Sequence, residues 1–335
     1  MHPAFQAVLT IIIGVGGCIS YFYFSNQFLD KVLFPAKGPN IAQNITRANM
    51  VRPWLFLFPA IAALSVYLAY PVIETLRLSL TERLPGNESQ FVGLKNYGQM
   101  LRDDKFWEAL KNNLLWLLVV PALSTVFGLI AAQLSDRVRW GNIAKSLIFM
   151  PMAISFVGAA VIWKLVYDTR PIDQDQIGVL NALYLFFGGT EPQQWLTHIP
   201  SNSFYLMAVL VWIQTGFAMV ILSAALRGIP EETVEAAIVD GANPFQVFFK
   251  IKVPQIMGTI VVVWTTITIV VLKVFDIVYA MTNGQWETQV LANYMYDKMF
   301  RAGDWGVGSA SAMIIMLLVS PILVWNVYNV RKEMQ

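Results

Sequence analysis

The sequence predicts an all-α, polytopic membrane protein of about seven transmembrane helices. Three observations carry that prediction. Apolar residues make up 56% of the 335-residue chain and charged residues only 13%, a balance foreign to soluble globular domains. Seven apolar runs, at 5–25, 54–73, 113–134, 144–166, 203–226, 256–275 and 309–328, approach the roughly 20 residues that a helix needs to cross the hydrocarbon. The runs are continuous, without the alternation of a barrel strand, so each must satisfy its own backbone as a helix.

Taken in order, the first run is not preceded by Lys or Arg, and Tyr21-Phe22-Tyr23-Phe24 stands where a secretory signal would carry small residues. It reads as a retained span, residues 1–29. Cys18 is the only cysteine, so no internal disulfide is available. Residues 30–53 read as a polar cytoplasmic linker broken by Pro35, Gly38 and Pro39, leading into a six-span block at 54–335. Lys31, Lys37, Arg47 and Arg52 follow the first span, Arg137, Arg139 and Lys145 fill the third-to-fourth link, and Arg331 and Lys332 lie near the C-terminus. The 168–202 loop instead carries Asp168, Asp173, Asp175 and Glu191 against Arg170. Because Lys and Arg stay in the cytoplasm, the N-terminus is placed outside and the C-terminus inside. The long, mixed-charge 81–111 segment falls outside, where the charge rule weakens. Residues 183–187 are apolar enough to dip into the membrane, which leaves the span count open by one.

The most informative segment is the insert at 227–255, inside by this topology. Pro230 suits a first helical position, where a missing N–H costs nothing, and Glu231 and Glu232 face the positive end of the helix dipole. The helix should run to about Asp240 and stop at Gly241 in a left-handed conformation. Asn243 can cap a second helix that Pro244 opens, with Phe245, Phe248 and Phe249 on one face, before Pro254 starts the sixth span. A bent helix pair of this kind is shaped to plug a cleft on another protein. The plainer reading is an amphipathic connector resting on headgroups, but acidic residues facing an anionic leaflet and the Gly and Pro breaks speak against it.

Glu235-Ala236-Ala237, three residues, Gly241, nine residues, Ile251 and then Pro254 resemble the coupling loop of bacterial ATP-binding-cassette (ABC) importer permeases; Val253 replaces the usual Leu. The likeness to the sugar-type branch covers about residues 54–330. It includes Tyr70-Pro71 with Leu78-Ser79-Leu80, Phe91-Val92-Gly93-Leu94-Lys95-Asn96-Tyr97, Phe106, Ala109-Leu110, Asn112-Asn113 and Thr215-Gly216-Phe217. The run Ala224-Ala225-Leu226-Arg227-Gly228-Ile229-Pro230 and Phe275-Asp276-Ile277-Val278-Tyr279 with Thr282-Asn283-Gly284 continue it. Where the family continues Gly-Pro this chain has Gln285-Trp286. That departure and the added first span are similar to the alpha-glucoside and glucosylglycerol permeases.

The resemblance implies one permease of a heterodimer in a bacterial cytoplasmic (inner) membrane, working with a second permease, two ATPase subunits and an external sugar-binding protein. Glu235, Ala236, Ala237, Asp240, Gly241, Ile251 and Pro254 would be the ATPase-coupling residues. No Gly-x-x-x-x-Gly-Lys-Ser/Thr loop occurs in the sequence, so ATP and Mg would be bound by the partners, with no cofactor in this chain. Nothing calls for nucleic acid. Sugars bind aromatic faces and polar groups in preformed cavities, which singles out Trp212, Gln214, Phe217, Lys273, Asp276 and Tyr279, with Trp163 and Lys164 beside them. Against that, Lys273 and Asp276 can simply pair, Lys164 can snorkel, and Trp and Tyr are common interfacial anchors. Gly158-Ala159-Ala160 and Gly306, Gly308, Ser309, Ala310 and Ser311 permit close helix packing.

Two other classes compete. A metal-dependent intramembrane enzyme would want clustered ligands, yet the two histidines, His2 and His198, are far apart. An ion-coupled secondary transporter or channel subunit would need intramembrane acids, which are scarce here, and has no use for the Glu235 insert.

Overall fold

The computed structural model describes residues 3–35, 37, 41–83 and 88–333; His2 and the predicted breaks at Gly38 and Pro39 lie outside them. The chain divides into two compact units, Met1–Glu74 and Thr75–Gln335.

In the first unit, α1 (Pro3–Phe28) ends in a wider π-helical turn at Leu29–Leu33. Helix α2 (Ile41–Leu64) passes through a second such turn, Ser65–Ala69, into α3 (Tyr70–Ser79). Most of the 30–53 linker is therefore helical, and its second half extends the following span. Ile41, Ile45 and Ala48 recur at helical spacing there, a pattern that the neighbouring polar residues hide from a search for apolar runs. Aromatic stacking joins α1 to α2, Tyr21 on Phe58 at 6.4 Å and Phe22 on Phe56 at 5.3 Å. The Tyr21 hydroxyl donates to the Leu55 carbonyl at 2.9 Å, and Arg52 pairs with Asp30 at 2.6 Å.

The second unit begins within α3, at Thr75, and continues with strand β1 (Thr81–Arg83) paired antiparallel to β2 (Ser89–Phe91). Then come α4 (Lys95–Leu101), α5 (Asp104–Ser135), α6 (Gly141–Phe149), α7 (Phe156–Val166), α8 (Val179–Phe186) and α9 (Asn202–Arg227). The insert supplies α10 (Glu231–Val239), α11 (Pro244–Gln246) and α12 (Val253–Gln255), the last two joined by a π-helical stretch, Val247–Lys252. Helices α13 (Met257–Leu272), α14 (Asp276–Met281), α15 (Leu291–Tyr296) and α16 (Trp305–Glu333) complete it. Among the described residues five helical stretches are long and apolar enough to cross a membrane, or seven if two bent pairs each count as one.

The bends correct two predicted spans. Residues 144–166 are not one rod: Gly141–Ala153 and Phe156–Val166 meet at 106°. Pro151 tightens the end of the first into a 3₁₀ turn, and the Ser155 side chain accepts the Gly158 amide to start the second. The sixth span begins at Met257, not at Pro254, after a 71° bend that leaves Pro254 in the preceding helix. It ends at Leu272, so residues 273–275 lie beyond it. Helix α8 has only eight residues, too few to cross the hydrocarbon.

Helix α5 packs along α9 at the centre of this unit, burying Trp116, Val120, Leu206, Leu210, Met219 and Leu222. In a bilayer small residues let helix backbones approach, and Gly128 of α5 lies directly against Ala218 and Met219 of α9.

One end of the bundle is held by side-chain amides. Asn112 donates to the carbonyls of Glu287 and Gln289 at 2.8 Å each. Asn113 accepts the Leu291 amide at 2.8 Å, and Asn202 donates to the Trp286 carbonyl at 2.6 Å. These bonds fix a loop in which Asn283, Trp286 and Glu287 all have positive φ.

Nearby, Asp103 pairs with Lys298 at 2.7 Å and accepts the Tyr294 hydroxyl at 3.0 Å. Burial works to raise its pKa, but Lys298, the Lys105 amide and Tyr294 together hold it below the ordinary value. A lowered carboxyl pKa adds stability at pH values above the unfolded value, about 3.9, and loses it as pH falls through the folded one. Asp103→Asn should therefore lower the thermal midpoint of the purified chain near neutral pH, and the gap to wild type should begin to close below about pH 4 and vanish as pH falls through the folded value.

Candidate functional site

The insert forms a bent pair of surface helices whose termini are closed by local chemistry. Pro230, expected as the first helical residue, is instead the N-cap of α10, which starts one position later, and Glu231 and Glu232 fill the first turn. At the other end Gly241 has φ +83°. Its amide donates to the Ile238 carbonyl and the Ala242 amide donates to the Ala237 carbonyl, both at 3.0 Å. That is the Schellman pattern, and it explains the spacing: Ala237 supplies the carbonyl that must stand four residues before the left-handed glycine. Asn243 then accepts the Gln246 amide at 2.9 Å while the Gln246 side chain accepts the Asn243 amide at 2.8 Å. This reciprocal box opens α11, with Pro244 in its first turn.

Glu235, Ala236 and Asp240 are exposed, as is Pro254, while Ala237 and Ile251 are half-buried. Val239, Phe245 and Phe249 are exposed by 86%, 77% and 62%; such bare apolar groups suit a protein partner better than water. Glu235 also borders a cleft of about 520 Å³ with Gln133, Asp136, Arg137, Arg227, Glu231 and Lys252.

A second cavity, of about 540 Å³, lies between α7, α9 and α13, and its polar lining is Ser155, Gln214, Thr266 and Asp276, beside Phe217. Three predicted pathway residues, Gln214, Phe217 and Asp276, thus meet. The other three do not join them. Trp212 is two positions from Gln214, which on a helix points it nearly the opposite way. It contacts Trp163 edge-on at 5.7 Å and lines a separate, apolar cavity of about 610 Å³ with Phe204 and Met207. Lys273 is exposed at the break between α13 and α14. The break removes the helical spacing that would have paired it with Asp276, and no such ion pair exists among the described residues. Tyr279 stacks on Phe275 at 5.0 Å and meets Tyr296 at 5.2 Å, under the Arg301 guanidinium at 5.4 Å. Lys164 donates to the Ala280 carbonyl at 3.3 Å, tying α7 to α14. Ser155 and Thr266 are the polar lining residues that sequence reading missed; the N-cap role of Ser155 before Gly158 was the available signal for the first.

Residues 124–332 match the family described as the binding-protein-dependent transport system inner membrane component. The alpha-glucoside transport system permease protein AglF of Rhizobium meliloti (strain 1021) is 61% identical, over 99% of both chains. The osmoprotective compounds uptake permease protein GgtC of Synechocystis sp. is 48% identical over 83% of this chain and 99% of its own length. The fold is shared with a crystal structure of a bacterial ABC transporter involved in importing alginate, at TM-score 0.72 and 19% identity, over 88% of this chain and 99% of that one. A capped, partner-ready helix pair, a bent-helix bundle around a polar-lined cavity and these likenesses converge on one conclusion: the chain belongs to the inner membrane components of binding-protein-dependent transport systems, as a multi-pass, non-catalytic permease subunit of an ABC importer.

Proposed function

We propose that this permease carries an alpha-glucoside or a closely related sugar inward by alternating access. The observation that bears most weight is connectivity. The helix pair 231–255 is continuous in sequence with α9 and α13, and those two helices supply Gln214, Phe217, Thr266 and Val270 to the 540 Å³ cavity. Motion imposed on the pair is delivered to the cavity walls through two short connections. The naming of AglF as an alpha-glucoside permease supports the sugar class, and the cavity falls in the range of roughly 300–1,000 Å³ typical of small-molecule sites.

In this reading the helix pair faces the cytoplasm, with the N-terminus outside and the C-terminus inside. It seats Glu235, Ala236, Ala237, Asp240 and Gly241 in a cleft of one of two ATPase subunits, while Ile251 and Pro254 shape the return to α13. A second, different permease closes the cavity, and an external binding protein delivers the sugar. ATP and Mg are held by the ATPase subunits. Phe217 offers a face for a pyranose ring, the Gln214 amide both donates and accepts, and Asp276 accepts from sugar hydroxyls.

The test is uptake of a labelled alpha-glucoside by proteoliposomes containing the complete assembly. Uptake should require ATP and the binding protein; uptake driven by an ion gradient without ATP would overturn the reading. Gln214→Leu should raise the apparent KM about tenfold, as expected when a buried polar contact to a sugar is lost, and leave ATP hydrolysis intact.

A further inference from the structure

Just before the helix pair, four side chains from three helices form a connected polar knot. Lys145 of α6 donates to Asp136, the C-cap of α5, in a short ion pair, and to the Ser223 hydroxyl of α9 at 2.7 Å. Ser223 donates to the other Asp136 oxygen at 3.2 Å. Arg227, the last residue of α9, donates to the Ser223 hydroxyl at 3.2 Å and stands 3.8 Å from Asp136. Ser223 is fully buried, and the Lys145 side chain is only 14% exposed. Asp136 and Arg227 also line the 520 Å³ cleft that Glu235 borders.

The same two helices meet again at the far end of α6. A Cβ built on Gly216 would lie 2.6 Å from the Ile148 carbonyl oxygen and 2.9 Å from the Phe149 Cα, so α9 and α6 touch backbone to backbone there. Beyond that contact the chain continues directly into Met152, Ile154 and Ser155, which line the cavity together with Gln214 and Phe217. Helices α6 and α9 thus meet at two places, Lys145 in the middle of α6 against Ser223 near the end of α9 beside the helix pair, and the last turn of α6 against Gly216 near the middle of α9 beside the cavity.

We infer that the Asp136–Lys145–Ser223–Arg227 knot is a transmission clasp, which makes α6 follow α9 so that movement of the helix pair reshapes both walls of the cavity. Asp136 and Lys145 are positioning residues that act through the helices they join. The inference rests on the ATP-coupled reading above. A surface ion pair would contribute little, but removal of one partner from a mostly buried, hydrogen-bonded pair leaves the other uncompensated. Loss of either charge should therefore loosen α6 from α9 and weaken the coupling between the helix pair and the cavity.

The experiment measures sugar uptake and ATP hydrolysis together in proteoliposomes containing the complete transporter, with complex assembly checked by co-purification. Lys145→Met and Asp136→Asn should assemble and hydrolyse ATP, yet move about tenfold less sugar per ATP, in the range of coupling changes for such networks. Lys145→Arg and Asp136→Glu should restore most of the ratio. An unchanged ratio in Lys145→Met overturns the clasp. So does a parallel loss of assembly, hydrolysis and uptake that Lys145→Arg fails to rescue, since that marks a merely structural contact. Absence of ATP-driven uptake by the unsubstituted assembly would instead remove the underlying reading, and the inference with it.

Discussion

Gly128→Val is expected to abolish accumulation of the folded chain in the membrane. A Cβ at this position would lie 2.4 Å from the Ala218 Cβ and 2.9 Å from the Met219 amide nitrogen. The second contact is backbone, so no rotamer change relieves it. Helices α5 and α9 must instead move apart along the principal packing surface of the unit, uncovering Trp116, Leu210 and Leu222. Overpacking a well-filled core costs about 1–3 kcal/mol even where side chains can adjust, and here they cannot. Gly128→Ala should also destabilise, although alanine is the better helix former by about 1 kcal/mol. The control is Gly98→Ala in α4, where nothing lies within 4 Å of the added carbon and the propensity gain should appear undiminished. Yield in the membrane fraction and the thermal midpoint in detergent separate these outcomes; near-normal values for Gly128→Val would show that α5 and α9 are not packed as described.

Gly241→Trp should leave the protein inserted and stop transport. No atom lies within 4 Å of a Cβ built on Gly241, yet its φ of +83° is left-handed. The strain of a side chain there is about 1–2 kcal/mol, borne by the Schellman cap, and is the same order for any L-residue. Gly241→Ala therefore measures strain alone, and its effect on uptake should be modest. Tryptophan adds bulk at a position whose Cβ meets nothing in this chain, so a further loss beyond that of alanine is the effect expected of contact with a partner. Glu235→Lys should act from the neighbouring turn, because it places another cation in a cleft that already holds Arg137, Arg227 and Lys252. Uptake at the wild-type rate by Gly241→Trp would end the proposal that this surface receives the ATPase. Equal defects in the alanine and tryptophan variants would assign the effect to the cap and not to docking.

The two substitutions sample features of different visibility. The Gly241 cap could be anticipated because a Schellman turn is complete within six residues, and Asn243 and Pro244 announce the next helix by the same local rules. The contact at Gly128 could not. Its partner is Ala218, far along the chain, and a glycine in an apolar run looks the same whether or not another backbone lies against it. The fourth span shows an intermediate case. Pro151 and Ser155 were readable as a break, but hydropathy carried the run from 144 to 166 without a pause, because both limbs of the 106° bend are apolar.

Composition and run length settled that the chain is helical and crosses a membrane, since lipid offers the backbone no other partner. Local hydrogen-bonding rules settled where α10 stops and α11 begins. Packing alone decided which polar residues share a space. Gln214, Phe217 and Asp276 converge while Trp212 faces away, and Lys145 reaches Ser223 across 78 positions of sequence. The reason is rotational: apolar segments bury almost equally well on every face, so their hydropathy leaves the rotation of each helix open. Only the fit of α5 and α6 against α9 fixes it, and with it the faces that line the cavity.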